Sequence, residues 1–107
     1  MERDAERLGF PPPHPGEYLR EDLLPALNMT VTDVAFHLGV SRATLSDLIH
    51  CNRSVSIPMA IRLGQAFRTG ARFWVALQSQ YDLWHEERRF SDNIIPLPTP
   101  DNEIEAA

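Results

Sequence analysis

Arg42, Ala43 and Asp47 lie close together in the chain, and their side chains match what the edges of base pairs offer. The planar guanidinium of Arg42 can form two parallel hydrogen bonds to the O6 and N7 acceptors of a guanine. The methyl group of Ala43 can touch a thymine methyl, and the Asp47 carboxylate can accept from a cytosine amine or orient an arginine. The hydroxyls of Ser41, Thr44 and Ser46 are placed for phosphate or groove contacts, although Ser41 serves equally well as a helix cap. Arg53 reads as a phosphate contact, with a solvated loop arginine as its plainer alternative.

The net charge of −5 speaks against a polyanionic partner, because such binding depends on cationic side chains releasing counterions from phosphates. The distribution of charge points the other way. Residues 34–72 hold Arg42, Arg53, Arg62, Arg68 and Arg72 against Asp47 alone, a local charge of +4, and the remainder of the chain carries −9. A basic centre thus sits between acidic ends. Lysine is absent, so every fixed positive side chain is a guanidinium with bidentate capacity.

These side chains need a short helix projected outward, and the spacing supplies one. Ala35, Gly39, Val40, Ser41, Leu45 and Leu48 stand at the offsets of two helices folded around a tight turn, a helix-turn-helix. Where the helices nearly touch there is room for only a methyl group, which Ala35 provides. Gly39 falls just past the first helix, where the backbone needs positive φ. Ser41 caps the second helix, and Val34, Leu38, Val40, Leu45 and Leu48 form the shared apolar seam. Thr30 with Asp33 gives the first of the two helices a start like a capping box. Two-fold symmetry follows from function, since one recognition helix reads only a few base pairs and a pair reads half-sites roughly 34 Å apart. A homodimer on a palindromic double-stranded DNA site is therefore expected.

The rest of the chain supports this unit. Residues 1–13 read as an N-terminal arm, with a frayed turn over 1–7 and then Pro11, Pro12 and Pro13, which deny the backbone a helix. Residues 14–89 read as the DNA-binding and dimerisation domain. Its first helix is expected at 15–24, opened by His14 and Pro15 and apolar along Tyr18, Leu19, Leu23 and Leu27. After the polar loop 50–56 a fourth helix begins near Pro58, with Ile57, Ala60, Ile61, Leu63 and Phe67. Following Gly70, a fifth covers 71–89 and carries Trp74, Leu77, Tyr81 and Trp84 on one wide aromatic face. Those four residues read as core or as a dimer interface built on aromatic anchors. Arg62, inside an amphipathic helix, is expected to pair with an internal acid or carbonyl, and Arg68 and Arg72 flank the turn before the last helix. Residues 90–107 form an acidic tail containing Pro96, Pro98 and Pro100, followed by Asp101, Glu103 and Glu105, and read as irregular.

Other classes of function find no support. A chain of 107 residues, 43% hydrophobic, suits one domain. It has no apolar run long enough for a membrane span, and its charged start is unlike a secretory leader, so no membrane partner and a cytoplasmic location are expected. Cys51 is the single cysteine, which excludes an internal disulfide. The sequons Asn28-Met29-Thr30 and Asn52-Arg53-Ser54 then read as chance matches. His50 beside Cys51 lacks the further ligands of a metal site, and His14, His37 and His85 are scattered. With no nucleophile, paired-carboxylate or phosphate-cradling pattern, neither a cofactor nor an enzyme is expected.

An all-α, five-helix architecture with its second and third helices as the helix-turn-helix resembles phage-repressor-like domains. Three further blocks sharpen the resemblance. Pro13-His14-Pro15-Gly16-Glu17-Tyr18-Leu19, then Ser56-Ile57-Pro58-Met59-Ala60-Ile61-Arg62-Leu63, and finally Trp74, Leu77-Gln78 and Tyr81-Asp82-Leu83-Trp84 are similar to HigA-type antitoxins, over about residues 12–84. The resemblance implies a dimeric DNA-binding protein that represses its own operon and neutralises a HigB-type toxin, a messenger RNA nuclease. The acidic arm and first helix are the expected toxin surface, since a basic nuclease would be drawn to them. A stand-alone regulator without a toxin, or a protein-binding module that has lost DNA, are the rival readings. In one place the chain departs from the family: His50-Cys51-Asn52 stands where a glycine is frequent, so the loop is expected to use Asn52 as its left-handed residue.

Overall fold

The computed structural model describes residues 9–98. The expected turn over 1–7 and the acidic residues Asp101, Glu103 and Glu105 lie outside them. Five helices and no strand are found among the described residues: α1 from Pro15 to Ala26, α2 Val31–Leu38, α3 Arg42–Ile49, α4 Ile57–Ala66 and α5 Ala71–Arg89.

α1 departs from the regular helix expected at 15–24. It is α-helical over Pro15–Tyr18, widens to a π turn over Leu19–Leu23 with the Leu24 amide on the Leu19 carbonyl, and tightens to a 3-10 turn over Leu24–Ala26. The physical reason is Pro25, which has no amide to give the Glu21 carbonyl and whose ring would collide with it. The turn before the proline opens to make room. Leu27 consequently falls beyond the helix and is 39% exposed, so it does not extend the apolar face.

The other helix ends follow their local sequence. Thr30 Oγ1 accepts the Asp33 amide at 3.0 Å, Ser41 Oγ accepts the Thr44 amide at 3.0 Å, and Ser56 Oγ accepts the Met59 amide at 3.2 Å. Each side-chain cap satisfies an amide that the first turn leaves without a partner. Gly39, at φ 74°, closes α2 with its own amide on Phe36 and the Val40 amide on Ala35. This is a Schellman closure.

The seam between α2 and α3 is formed by Val34, Ala35, Leu38, Leu45 and Leu48, all buried. It is continuous with Leu19 of α1, with Met59, Ala60 and Leu63 of α4, and with Trp74 and Leu77 of α5. Trp74 is fully buried at the centre, surrounded by Tyr18, Phe67 and Phe73, and its indole N–H donates to Thr69 Oγ1 at 2.8 Å. The interface expectation for the aromatic face is therefore corrected in part. Trp74, with no exposed surface, and Leu77, 8% exposed, are committed to the core of the single chain and have little to offer a second copy. Tyr81 and Trp84, one and two turns further along α5, remain half-exposed.

Beyond α5, residues 90–98 are irregular, as the prolines predict. Phe90, Ile94, Ile95 and Leu97 are exposed there.

Candidate nucleic-acid interface

The candidate site is the outer face of α3. Leu45, Leu48 and Ile49 turn inward, while Arg42, Ala43 and Asp47 are exposed on the opposite side. The inward residues fix the rotation of the helix, so the periodicity of the core decides which side chains face out. Ser41 does serve as the cap, and its hydroxyl also donates to Thr44 Oγ1 at 2.9 Å. That bond engages the Ser41 proton and leaves the Thr44 hydroxyl proton free for an external acceptor. Ser46 is half-buried.

Asp47 and Arg53 are brought together, with Nη2 of the arginine 3.7 Å from Oδ2 of the aspartate and both side chains about half exposed. Of the two roles expected for Asp47, this arrangement fits the orienting of an arginine. An exposed pair of this kind contributes little to stability. What it does is restrict where the Arg53 guanidinium points.

The loop after α3 corrects one expectation. Cys51, at φ 63°, takes the left-handed conformation in place of Asn52. The Cys51 amide bonds to Leu48 O at 3.0 Å and the Asn52 amide to Asp47 O at 2.9 Å, so the left-handed residue must be the first one past the cap residue His50.

Three contacts that hold this face in place leave no signal in the local sequence. Arg20 of α1 donates through Nη1 to the Ile49 carbonyl at 2.7 Å, where α3 ends. Gly16 lies so close to that end that a Cβ built on it would stand 1.8 Å from the Leu48 carbonyl oxygen. Gln78 of α5, buried, accepts the Val55 amide on Oε1 at 2.7 Å and donates from Nε2 to Asp82 at 3.0 Å, anchoring the loop that carries Arg53. The motif Leu77-Gln78 stands out in the sequence, but nothing local marks the glutamine as the loop's anchor. At the turn between α2 and α3, Arg62 binds the Leu38 carbonyl at 2.9 Å, one of the two kinds of partner expected for it.

His14 is the cap of α1. Its Nδ1 accepts the Gly16 amide at 2.8 Å, and its ring meets Tyr81 edge-on. Burial lowers its pKa below the ordinary imidazole value, against the opposing pull of Asp82 and Glu17.

No group of three or more potential metal ligands occurs among the described residues, and no helix there is long and apolar enough to cross a membrane.

No protein-family model matches the chain. Individual proteins do. It is 40% identical over 96 residues to virulence-associated protein A′ of Dichelobacter nodosus, covering 86% of this chain and 83% of that protein. It is 32% identical over 77 residues to antitoxin HigA-1 of Vibrio cholerae, covering 72% of each. Its fold superposes on Pseudomonas aeruginosa antitoxin HigA, solved with the higBA promoter, with a TM-score of 0.70 and 41% identity over 73% of this chain and 85% of that one. The chain belongs to the HigA-type family of helix-turn-helix antitoxins and regulators. The five-helix domain is the HigA-type fold, and the blocks at residues 13–19, 56–63 and 74–84 are the α1, α4 and α5 segments that surround α2 and α3.

Proposed function

We propose that this chain is an operator-binding antitoxin of a type II toxin-antitoxin system, acting as a homodimer that represses its own operon and neutralises a HigB-type toxin. The observation that carries this reading is the division of α3 into two faces. Its core face is locked by Leu45, Leu48 and Ile49, and its outer face presents Arg42, Ala43 and Asp47. The promoter-bound HigA of Pseudomonas aeruginosa supports it.

Arg42 is assigned to guanine, Ala43 to a thymine methyl, and Thr44, Ser46 and Arg53 to phosphate or groove contacts, with Ser41 as cap and Asp47 orienting Arg53. The two-fold contact falls to Tyr81 and Trp84 on the outer half of α5. The palindromic operator follows from that symmetry. Repression is occlusion of the promoter by the bound dimer, a cytoplasmic, non-catalytic activity.

Toxin contact is assigned to the arm and α1, where Glu17, Glu21 and Asp22 are exposed and suit a basic partner. Deleting residues 1–12 should weaken that contact.

The deciding experiment is titration of the purified protein with its own upstream DNA at two salt concentrations. Phosphate contact predicts affinity that falls steeply with salt. Arg42→Ala should cost about 1–3 kcal/mol and relax preference at one position per half-site, while Arg53→Ala should weaken all sequences and flatten the salt slope. Equal loss on every sequence for Arg42→Ala would refute its base contact. Co-purification with the product of the adjacent gene tests the toxin, and its failure would favour a stand-alone regulator.

A further inference from the structure

His50 ends the recognition helix and is exposed. In helical register it lies two turns beyond Ala43 and one beyond Ser46 and Asp47, on the outer face and opposite Leu45 and Leu48. Its ring is oriented by its own helix, with Nδ1 2.7 Å from the Ser46 carbonyl oxygen. A carbonyl can only accept, so Nδ1 carries the proton, and in the neutral ring Nε2 is left as a bare acceptor. Such a ring repels a phosphate oxygen. Once protonated, Nε2 gains a hydrogen and the ring a charge, and the same atom becomes a charge-assisted donor.

Resting on the operator-binding reading, the geometry points to His50 as a further DNA contact, one that binds a backbone phosphate only when its imidazole is protonated. The charged groups around this end of α3 suit that role. Asp47 is already opposed by Arg53, and Arg20 of α1 is turned onto the Ile49 carbonyl, where it steadies the turn. Protonation of the exposed ring adds this donor, so the operator grip of this protein should tighten on mild acidification. The departure of His50-Cys51-Asn52 from the family's usual loop thereby acquires a use.

The test is the affinity of the full-length protein for its upstream duplex, by fluorescence anisotropy, at about pH 8 and pH 6. The parent should bind more tightly at the lower pH, by at most about a hundredfold per pH unit for the dimer, because one proton is linked on each of its two subunits. Its salt slope should also steepen by about one contact per subunit. His50→Gln should match the parent at alkaline pH and lose the acid gain, and His50→Arg should bind at both pH values as the parent does in acid. An acid gain retained in full by His50→Gln would overturn the proposal, as would a gain restricted to one operator sequence, which would place the contact on a base. A parent that binds with no pH dependence removes this inference and leaves the operator reading standing. A parent that binds no duplex at any pH or salt removes both.

Discussion

Replacing Gln78 by methionine tests whether the loop behind the recognition helix is held from α5. The side chain keeps its length but loses both polar ends, so the Val55 amide is left without its 2.7 Å acceptor while Val55 itself is 7% exposed. A buried amide stripped of its partner costs about 1–3 kcal/mol, and the second bond, to the exposed Asp82, adds little. For a domain of this size each kcal/mol lowers the midpoint by about 4–8 °C, so thermal unfolding followed by circular dichroism should show a drop of about 5–20 °C. Gln78→Glu separates the two bonds. It can still accept from Val55 but sets a second carboxylate against Asp82, so its deficit should shrink as pH falls toward the ordinary carboxylate range of about 4. Well below the melting temperature, the methionine variant should also bind DNA with a flatter salt dependence, because Arg53 rides on the freed loop. Unchanged melting of Gln78→Met, with the Val55 amide still protected from hydrogen exchange, would refute the anchoring argument.

Three further outcomes follow from the same geometry. His14 is held neutral by burial, so the unfolded chain takes up its proton first. Stability is intact above about pH 6.5 and falls as pH drops below it, and His14→Asn, which keeps a capping acceptor, should flatten that slope in pH-dependent denaturant melts. Cys51→Gly should raise stability by about 0.5–1 kcal/mol in urea unfolding, since it removes a Cβ from a left-handed position. Trp74→Ala should cost about 3–5 kcal/mol and threaten folding, whereas Trp84→Ala should fold and shift the subunit equilibrium toward monomer in sedimentation, and an unchanged dimer would remove Trp84 from the interface.

What the sequence discloses and what it hides divide by range. The caps of Thr30 and Ser41, the left-handed turn at Gly39 and the methyl-sized place of Ala35 are local, because each depends on residues within one turn or on fixed helical spacing. The carbonyl partner of Arg62 is legible for a related reason: a guanidinium on the packed side of an amphipathic helix needs an acceptor nearby. Which carbonyl Arg62 meets, 24 residues away, is hidden and only the kind of partner is legible; for the Ile49 partner of Arg20 and the Val55 partner of Gln78, 29 and 23 residues away, neither kind nor place leaves a mark in side-chain type. The choice of Cys51 over Asn52 is hidden because the position of the left-handed residue is set by where α3 ends. Trp74 and Trp84 share a stripe in sequence, and only the packing of α1 and α4 on α5 separates core from surface.

The absence of lysine has a structural counterpart in the division of labour among the arginines. Arg20 and Arg62 each place a guanidinium on a backbone carbonyl, one at the end of α3 and one at the end of α2, so α3 is gripped from outside at its last turn and at the turn that precedes it. A planar fork with fixed donors sets the direction of such a bond, where the three rotatable donors of a lysine ammonium would control it less. These two residues still add to the positive field over residues 34–72 and its α1 border while acting as scaffold, and Arg42 and Arg53 are left exposed, the latter beside Asp47. Within α3 itself the rigid part is the inward row of leucines and the exposed row is short and polar. An error in the angle of the helix would thus move Arg42, Asp47 and His50 together. Contacts at both ends, made to carbonyls and not to mobile side chains, resist that rotation.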